Sequence, residues 1–318
     1  MSVPSIILSF TAIAGMRVVQ KVCSKKVSNN VTGKTSFRYG GYYQLLSALF
    51  SLITLAIVGF YGFNWQTVLC ALGTSMFLAI ELFTGIEALK GCSLIVSQMF
   101  SVGALFIPCV FGIFLFSEPM SVWQWVGLAF FMIAMYFMVS PPKNKNESEP
   151  SKKISLKTLL LLITGLLAGG GTMVVQKGFS VLVPSGNSAA YSFLMFAFSS
   201  VFLYVAYFIL AFIQKRRAKS VQTETELLEE KPKGKWKPLS KILLICGAFL
   251  ALAVFAINML VTELGKTVES AVLFSVSYAI SIVITILVGA IYYKEKITWK
   301  NIIGIVLCVG ALAMINFL

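Results

Sequence analysis

The chain has 318 residues and a net charge of +14, yet only 12% of its residues are charged and 58% are hydrophobic. A mean hydropathy of +0.87 excludes a water-soluble fold, which cannot bury that much apolar surface, and points to the bilayer as solvent. The absence of any Asp or His excludes Ser-His-Asp catalysis, His-ligated zinc and paired-Asp metal clamps.

Ten apolar segments of about 20 residues, the length that crosses a hydrocarbon core, are predicted. They run over 4–23, 39–61, 66–87, 92–116, 121–140, 157–180, 189–213, 240–262, 268–292 and 298–317. The first lacks a basic leader and a small-residue cleavage site, so it reads as a retained helix. Trp65, Trp123, Trp125, Trp236 and Trp299 all fall at segment edges, where an interfacial aromatic belt places them. Pro108 is expected to kink the fourth segment at mid-membrane by removing one helix hydrogen bond. In the sixth, Gly169, Gly170 and Gly171 allow close helix approach or local unwinding. The cysteines Cys23, Cys70, Cys92, Cys109, Cys246 and Cys308 contain no C-x-x-C pair. They read as small apolar side chains, so neither a metal nor a cofactor is expected.

Charge sets the orientation. Of the 26 Lys and Arg residues, 23 fall on one side of the alternating segments, around 21–38, Lys90, 143–157, 215–241 and 294–300. Lys177 and Lys266 lie on the other side, and Arg17 lies within a segment. The positive-inside rule makes the crowded side cytoplasmic and both termini extracytoplasmic, in what is expected to be the plasma (inner) membrane. Basic loops against anionic lipid account for the net charge without nucleic acid. The loops 141–156 and 214–239 mix Lys with Glu147, Glu149, Glu224, Glu226, Glu229 and Glu230, and read as solvated connectors. Gly33-Lys34-Thr35 and Gly265-Lys266-Thr267 lack the earlier glycine of a phosphate-binding loop, with Ser28 and Leu260 in its place. Nucleotide hydrolysis within the chain is therefore not expected.

The sequence also repeats itself. Val18-Val19-Gln20-Lys21 recurs as Val174-Val175-Gln176-Lys177, and Glu118-Pro119-Met120-Ser121 with Gly127 is echoed by Glu295-Lys296-Ile297-Thr298 with Gly304. Each copy holds five segments, and an odd number inverts one copy relative to the other, a construction typical of secondary transporters. The predicted fold is an all-α membrane protein of ten transmembrane helices in two inverted five-helix repeats. The repeats occupy 1–140 and 157–318, joined by a cytoplasmic linker at 141–156.

The turn Phe116-Ser117-Glu118-Pro119-Met120-Ser121 and its second copy Tyr293-Lys294-Glu295-Lys296-Ile297-Thr298 resemble the EamA-type domains of the drug/metabolite transporter superfamily. Pro108 in the fourth segment and Phe37-Arg38-Tyr39 at the start of the second also match that family's pattern. The second copy departs from it, with Thr285 where a proline would stand. The resemblance covers nearly the whole chain and implies a ten-helix carrier of a small organic solute, often moving it outward.

Candidate site residues are polar groups that resist burial in lipid. Counted at ~1.5 Å per residue, Arg17, Gln44, Glu81 and Gln98 share one layer ~9–10 Å below the cytoplasmic edge of the hydrocarbon core. A lone charge there costs on the order of 2.5–3.5 kcal/mol, so an Arg17–Glu81 pair facing a cavity is the natural arrangement, as a structural lock or as a substrate or proton site, with no contact between the two as the remaining alternative. Glu81 is the candidate proton carrier; burial and the Arg17 charge act on its protonation in opposite senses. Across the repeat Arg17 aligns with Met173 and Glu81 with Asn258, so the charged layer is present in one half alone. Ser277, Ser281 and Thr285 recur every four residues beside Tyr278 on one helix face, which either glues helices together or lines a permeation path. Pro108 and Gly170 are the candidate gating or kink positions.

Two functions are expected from these features. The first is a secondary active carrier, an exporter or exchanger of a small organic metabolite or drug, with protons as a candidate coupling ion. The alternative is a membrane-embedded receptor or scaffold without transport. No nucleophile–base set is visible, so an enzyme is not expected. Ten segments can enclose a cavity as a monomer or within a homodimer.

Overall fold

The computed structural model describes residues 3–31, 33–118, 120–139, 154–222, 240–292 and 299–317. Eleven helices and no strand occur among the described residues. They are α1 (Val3–Ser28), α2 (Lys34–Val58), α3 (Trp65–Ala88), α4 (Leu94–Gly103), α5 (Phe106–Phe116) and α6 (Val122–Val139). The rest are α7 (Leu156–Leu182), α8 (Ser188–Gln222), α9 (Lys241–Leu264), α10 (Ser270–Ile291) and α11 (Trp299–Phe317). Among the described residues, seven stretches are long and apolar enough to cross a membrane: α1, α2, α3, α4 with α5, α7, α8 and α9. Glu295, most of the 141–156 linker and residues 223–239 of the second loop lie outside the described residues.

Local sequence starts the helices where polar caps occur. Asn64, Ser93, Ser155 and Ser240 each accept a hydrogen bond from the backbone N–H three residues on, at 3.0, 3.2, 3.1 and 3.4 Å, satisfying a donor that the first helical turn leaves unpaired. Ser121 and Gln124 form a reciprocal capping box at the start of α6. α8 runs nine residues past the expected end at 213 because Gln214, Lys215, Arg216 and Ala218 are good helix formers. Arg216 folds back over the Phe212 ring one turn earlier, 4.5 Å from its centroid.

α4 and α5 are halves of one broken segment. Pro108 has no N–H to give the Ala104 carbonyl, which instead accepts from Ile107 N–H at 3.2 Å. The chain turns at Ala104–Leu105, four residues before the proline, where its ring would otherwise clash with the carbonyl. α7 passes this break without interruption through Gly169, Gly170 and Gly171. A Cβ on Gly170 would stand 2.6 Å from Cβ of Ile107, and one on Gly171 would stand 2.7 Å from the Phe77 ring. Gly170→Ala is therefore expected to lower stability by about 1–3 kcal/mol through overpacking. Gly15, which has open space around it, is the control. Unfolding in detergent that fails to separate Gly170→Ala from Gly15→Ala would contradict this packing.

The helices pack reciprocally. α1 lies on α9 and α10, while α7 lies on α3, α4 and α5; α2 lies on α9, and α8 on α3. α2 also meets α8, α4 meets α10 and α6 meets α11. One apolar core, including Phe10, Ile13, Leu105 and Phe274, joins α1, α4, α9, α10 and α11. A second, including Tyr39, Tyr43, Phe179, Tyr191 and Phe196, joins α2, α3, α7, α8 and α9. The cavities lie between the two.

Candidate functional site

Two small cavities, of about 60 and 40 Å³, adjoin inside the bundle. In this form each holds a few waters and is partly open at its rim. The first is lined by Lys21 of α1, Tyr43 of α2, Ser97 and Ser101 of α4, and the start of α7. The second is lined by Arg17 of α1, Thr172 and Gln176 of α7, Asn258 of α9, and Phe274 and Tyr278 of α10. Gln20, Glu81 and Gly169 line both. Gly169 is what lets α7 close on the carboxylate, since a Cβ there would stand 3.3 Å from the Glu81 carboxyl.

Arg17 and Glu81 do not form the expected ion pair. Those present among the described residues are Lys90–Glu87, Lys177–Glu118 and Lys266–Glu263. The Arg17 guanidinium lies instead over the Tyr278 ring, 3.6 Å from its centroid, an attraction that strengthens where water is excluded. Its Nε is buried without a hydrogen-bond partner among the described residues. Glu81 still feels both cations of α1, Lys21 more strongly than Arg17, and faces the Thr172 hydroxyl.

The other candidate residues divide into two groups. Asn258 and Tyr278 line the second cavity with Arg17 and Glu81. Gln44, Gln98, Ser277 and Ser281 are fully or almost fully buried but line neither cavity. Gln98 ties α4 to α10 by donating to the Ser281 hydroxyl at 3.2 Å. Ser277 and Ser281 donate back to the carbonyls of Leu273 and Tyr278, at 2.6 and 2.9 Å, the usual way a helix satisfies a hydroxyl in an apolar setting. Pro108 and Gly170 sit at the α4–α5 break and line neither cavity.

Sequence reasoning passed over Lys21, Gln20 and Gln176, which the recurring Val-Val-Gln-Lys motif contains. Gln176 donates to the Asn258 carbonyl and the Thr262 hydroxyl at 3.0 and 2.8 Å. Lys177 is buried and donates to the carbonyls of Gly265 and Val268 at 3.1 and 2.8 Å. It also pairs with Glu118 at 2.9 Å. Ser117, in the left-handed region at φ 54°, turns Glu118 back so that its other oxygen accepts from the Ser270 N–H at 3.1 Å, capping α10.

The first half makes the same turn with a different lysine. Glu87 and Lys90 pair as Glu263 and Lys266 do. Here Lys25 holds the two turn carbonyls, those of Leu89 and Cys92, at 2.9 and 2.8 Å. Lys21, the residue that matches Lys177 in sequence, is thereby released into the first cavity, where it donates to Ser101 and Ser97 at 2.6 and 3.4 Å.

A solved structure titled "Crystal structure of protein" superposes on this chain with a TM-score of 0.60 at 13% sequence identity. The superposition covers 98% of this chain and 96% of that one, so the likeness is one of fold. No curated protein matches the chain. The model of the EamA-like transporter family matches residues 156–317, half of the sequence. With a half of the chain matched and seven described stretches able to cross a bilayer, this multi-pass membrane protein belongs to the EamA-like transporter family.

Proposed function

We propose that the chain is a secondary active carrier of a small organic solute, built as ten transmembrane helices in two inverted five-helix repeats that rock about the cavities around Glu81. The observation that carries this reading is the reciprocal packing. Exchanging α1, α2, α3, α4–α5 and α6 with α7, α8, α9, α10 and α11 maps the contacts of α1 with α9 and α10 onto those of α7 with α3 and α4–α5. It likewise maps α2–α9 onto α8–α3, and returns α2–α8, α4–α10 and α6–α11 to themselves. The matched Glu–Lys turns after α3 and α9 support the same exchange. A scaffold has no use for such a relation, whereas alternating access uses it directly.

Rocking of the two halves would widen these small cavities and admit solute from one side at a time. On the positive-inside reading, the turn bearing Lys90 faces the cytoplasm and the Lys177–Glu118 pair lies toward the exterior. Purified protein in vesicles is expected to exchange at least one small organic solute across the bilayer, read as counterflow of a labelled metabolite. Absence of counterflow across a broad metabolite panel would favour the receptor or scaffold reading.

A further inference from the structure

We propose that the adjoining cavities take a small organic oxyanion, and that its binding and protonation of Glu81 favour each other; this rests on the carrier reading above. Among the described residues lining the two cavities, Arg17 and Lys21 are the cations and Glu81 is the one carboxylate. The site therefore holds one positive charge in excess, away from water, where uncompensated charge is costly.

The partners of the two cations do not supply the missing charge. Lys21 meets the neutral hydroxyls of Ser101 and Ser97, and Arg17 meets the face of Tyr278 with its Nε unpartnered. In the second half the matching lysine, Lys177, has the Glu118 carboxylate at 2.9 Å. The first half keeps an ammonium free of its structural duty, because Lys25 performs it. A carboxylate or phosphate group on the solute would complete the site, received by the planar fork of Arg17 and the ammonium of Lys21. A neutral solute leaves the imbalance in place, and a cationic one enlarges it.

Glu81 competes with such a solute for the same two cations. The groups facing it are Arg17 and Lys21 from α1, Tyr43 from α2 and Tyr278 from α10, with hydroxyls of Ser97 and Ser101 from α4 and Thr172 from α7. A proton on Glu81 removes the internal competitor and leaves both cations to the solute. By linkage, oxyanion binding then draws a proton onto Glu81 to the same degree.

The test uses the full chain in lipid nanodiscs and a panel of small mono- and dicarboxylates and organophosphates, each beside its amide or amine analogue. Binding is read as a concentration-dependent rise in unfolding temperature. Oxyanions are expected to stabilise the protein where their neutral and cationic analogues do not, and more tightly as pH falls. The preference between carboxylate and phosphate members identifies the headgroup. Lys21→Gln and Arg17→Gln should each weaken binding by about tenfold or more, with Lys21→Arg retaining it as the control for folding. Glu81→Gln should tighten binding and flatten its pH dependence on the acid side of neutrality, where Lys21 is already charged.

Stabilisation by neutral or amine members instead, indifference to both α1 substitutions, weaker binding in Glu81→Gln, or no response to any oxyanion each overturns the proposal. Counterflow of a neutral or cationic solute would overturn it while leaving the carrier reading intact. Oxyanion binding without counterflow of any solute would overturn the carrier reading instead.

Discussion

Glu81→Gln is expected to abolish gradient-driven accumulation of solute while leaving passive exchange and the fold in place. Glutamine has nearly the same shape and can still face Thr172, but it cannot take up or release a proton. Glu81 is the carboxylate that both cavities share, and among the described residues lining them there is no second acid to replace it. A carrier moving one proton per solute can hold about a tenfold concentration ratio for each pH unit across the membrane, equivalent to about 1.4 kcal/mol. In the variant that ratio should fall to one under the same gradient, while counterflow between equal solutions persists. The fold is expected to survive because, among the described residues, Glu81 makes no direct ion pair, and Arg17 and Lys21 keep their contacts with Tyr278 and the Ser97 and Ser101 hydroxyls. Accumulation at the wild-type level would remove Glu81 from the coupling step.

Lys177→Met should destabilise the protein by about 3 kcal/mol, the low end of the range for removing one partner of a buried pair, because Glu118 keeps some exposure to solvent. The substitution leaves the Glu118 carboxylate without its cation and the carbonyls of Gly265 and Val268 without their donor. Those groups join the α5–α6 turn, α7 and the start of α10, so three elements lose their common tie. Lys21→Met, at the matching place in the first half, should cost far less, since Lys25 already holds the turn there. Unfolding of the two variants in the same detergent measures the difference directly. Equal losses would refute the division of roles between the lysines.

Much of the architecture was legible in the sequence because lipid simplifies the problem. Every backbone group must be satisfied inside its own segment, so apolar length alone marks a helix. The α4–α5 break was legible too, since proline acts on the carbonyl four residues back whatever surrounds it. The end of α8 was not. Beyond Ile213 the chain becomes charged and ceases to read as a span, yet Lys215, Arg216 and Ala218 favour helix as readily in water as in lipid.

The site was half legible. Arg17 and Glu81 stood out because a charge inside a span needs a reason, and the cavities contain both. Their expected contact failed because sequence depth gives a layer and not an azimuth; Tyr278, from a helix more than 250 residues away, occupies the place beside Arg17. Lys21 was overlooked for a related reason. Near the end of a span a lysine reads as a loop cation that snorkels, and only the partners of Lys25 reveal that Lys21 is turned inward. Gln44 and Gln98 were expected in the same layer, yet both are buried and line neither cavity.

The interrupted α4–α5 segment has a mechanical meaning. An unbroken helix of 23 residues would be a rigid rod of ~34 Å, and a displacement at one end would appear at the other. Here one half presents Ser97, Ser101 and Gln98 to α1 and α10. The other half leads into the Glu118 tie with Lys177 and Ser270. Between them stands a single turn at Ala104–Leu105, which on the carrier reading would turn a lever into a joint. Ala104 lines the first cavity, so the joint lies at the wall of the site itself. On that reading one end of the segment would follow the contents of the cavity while the other stays fastened.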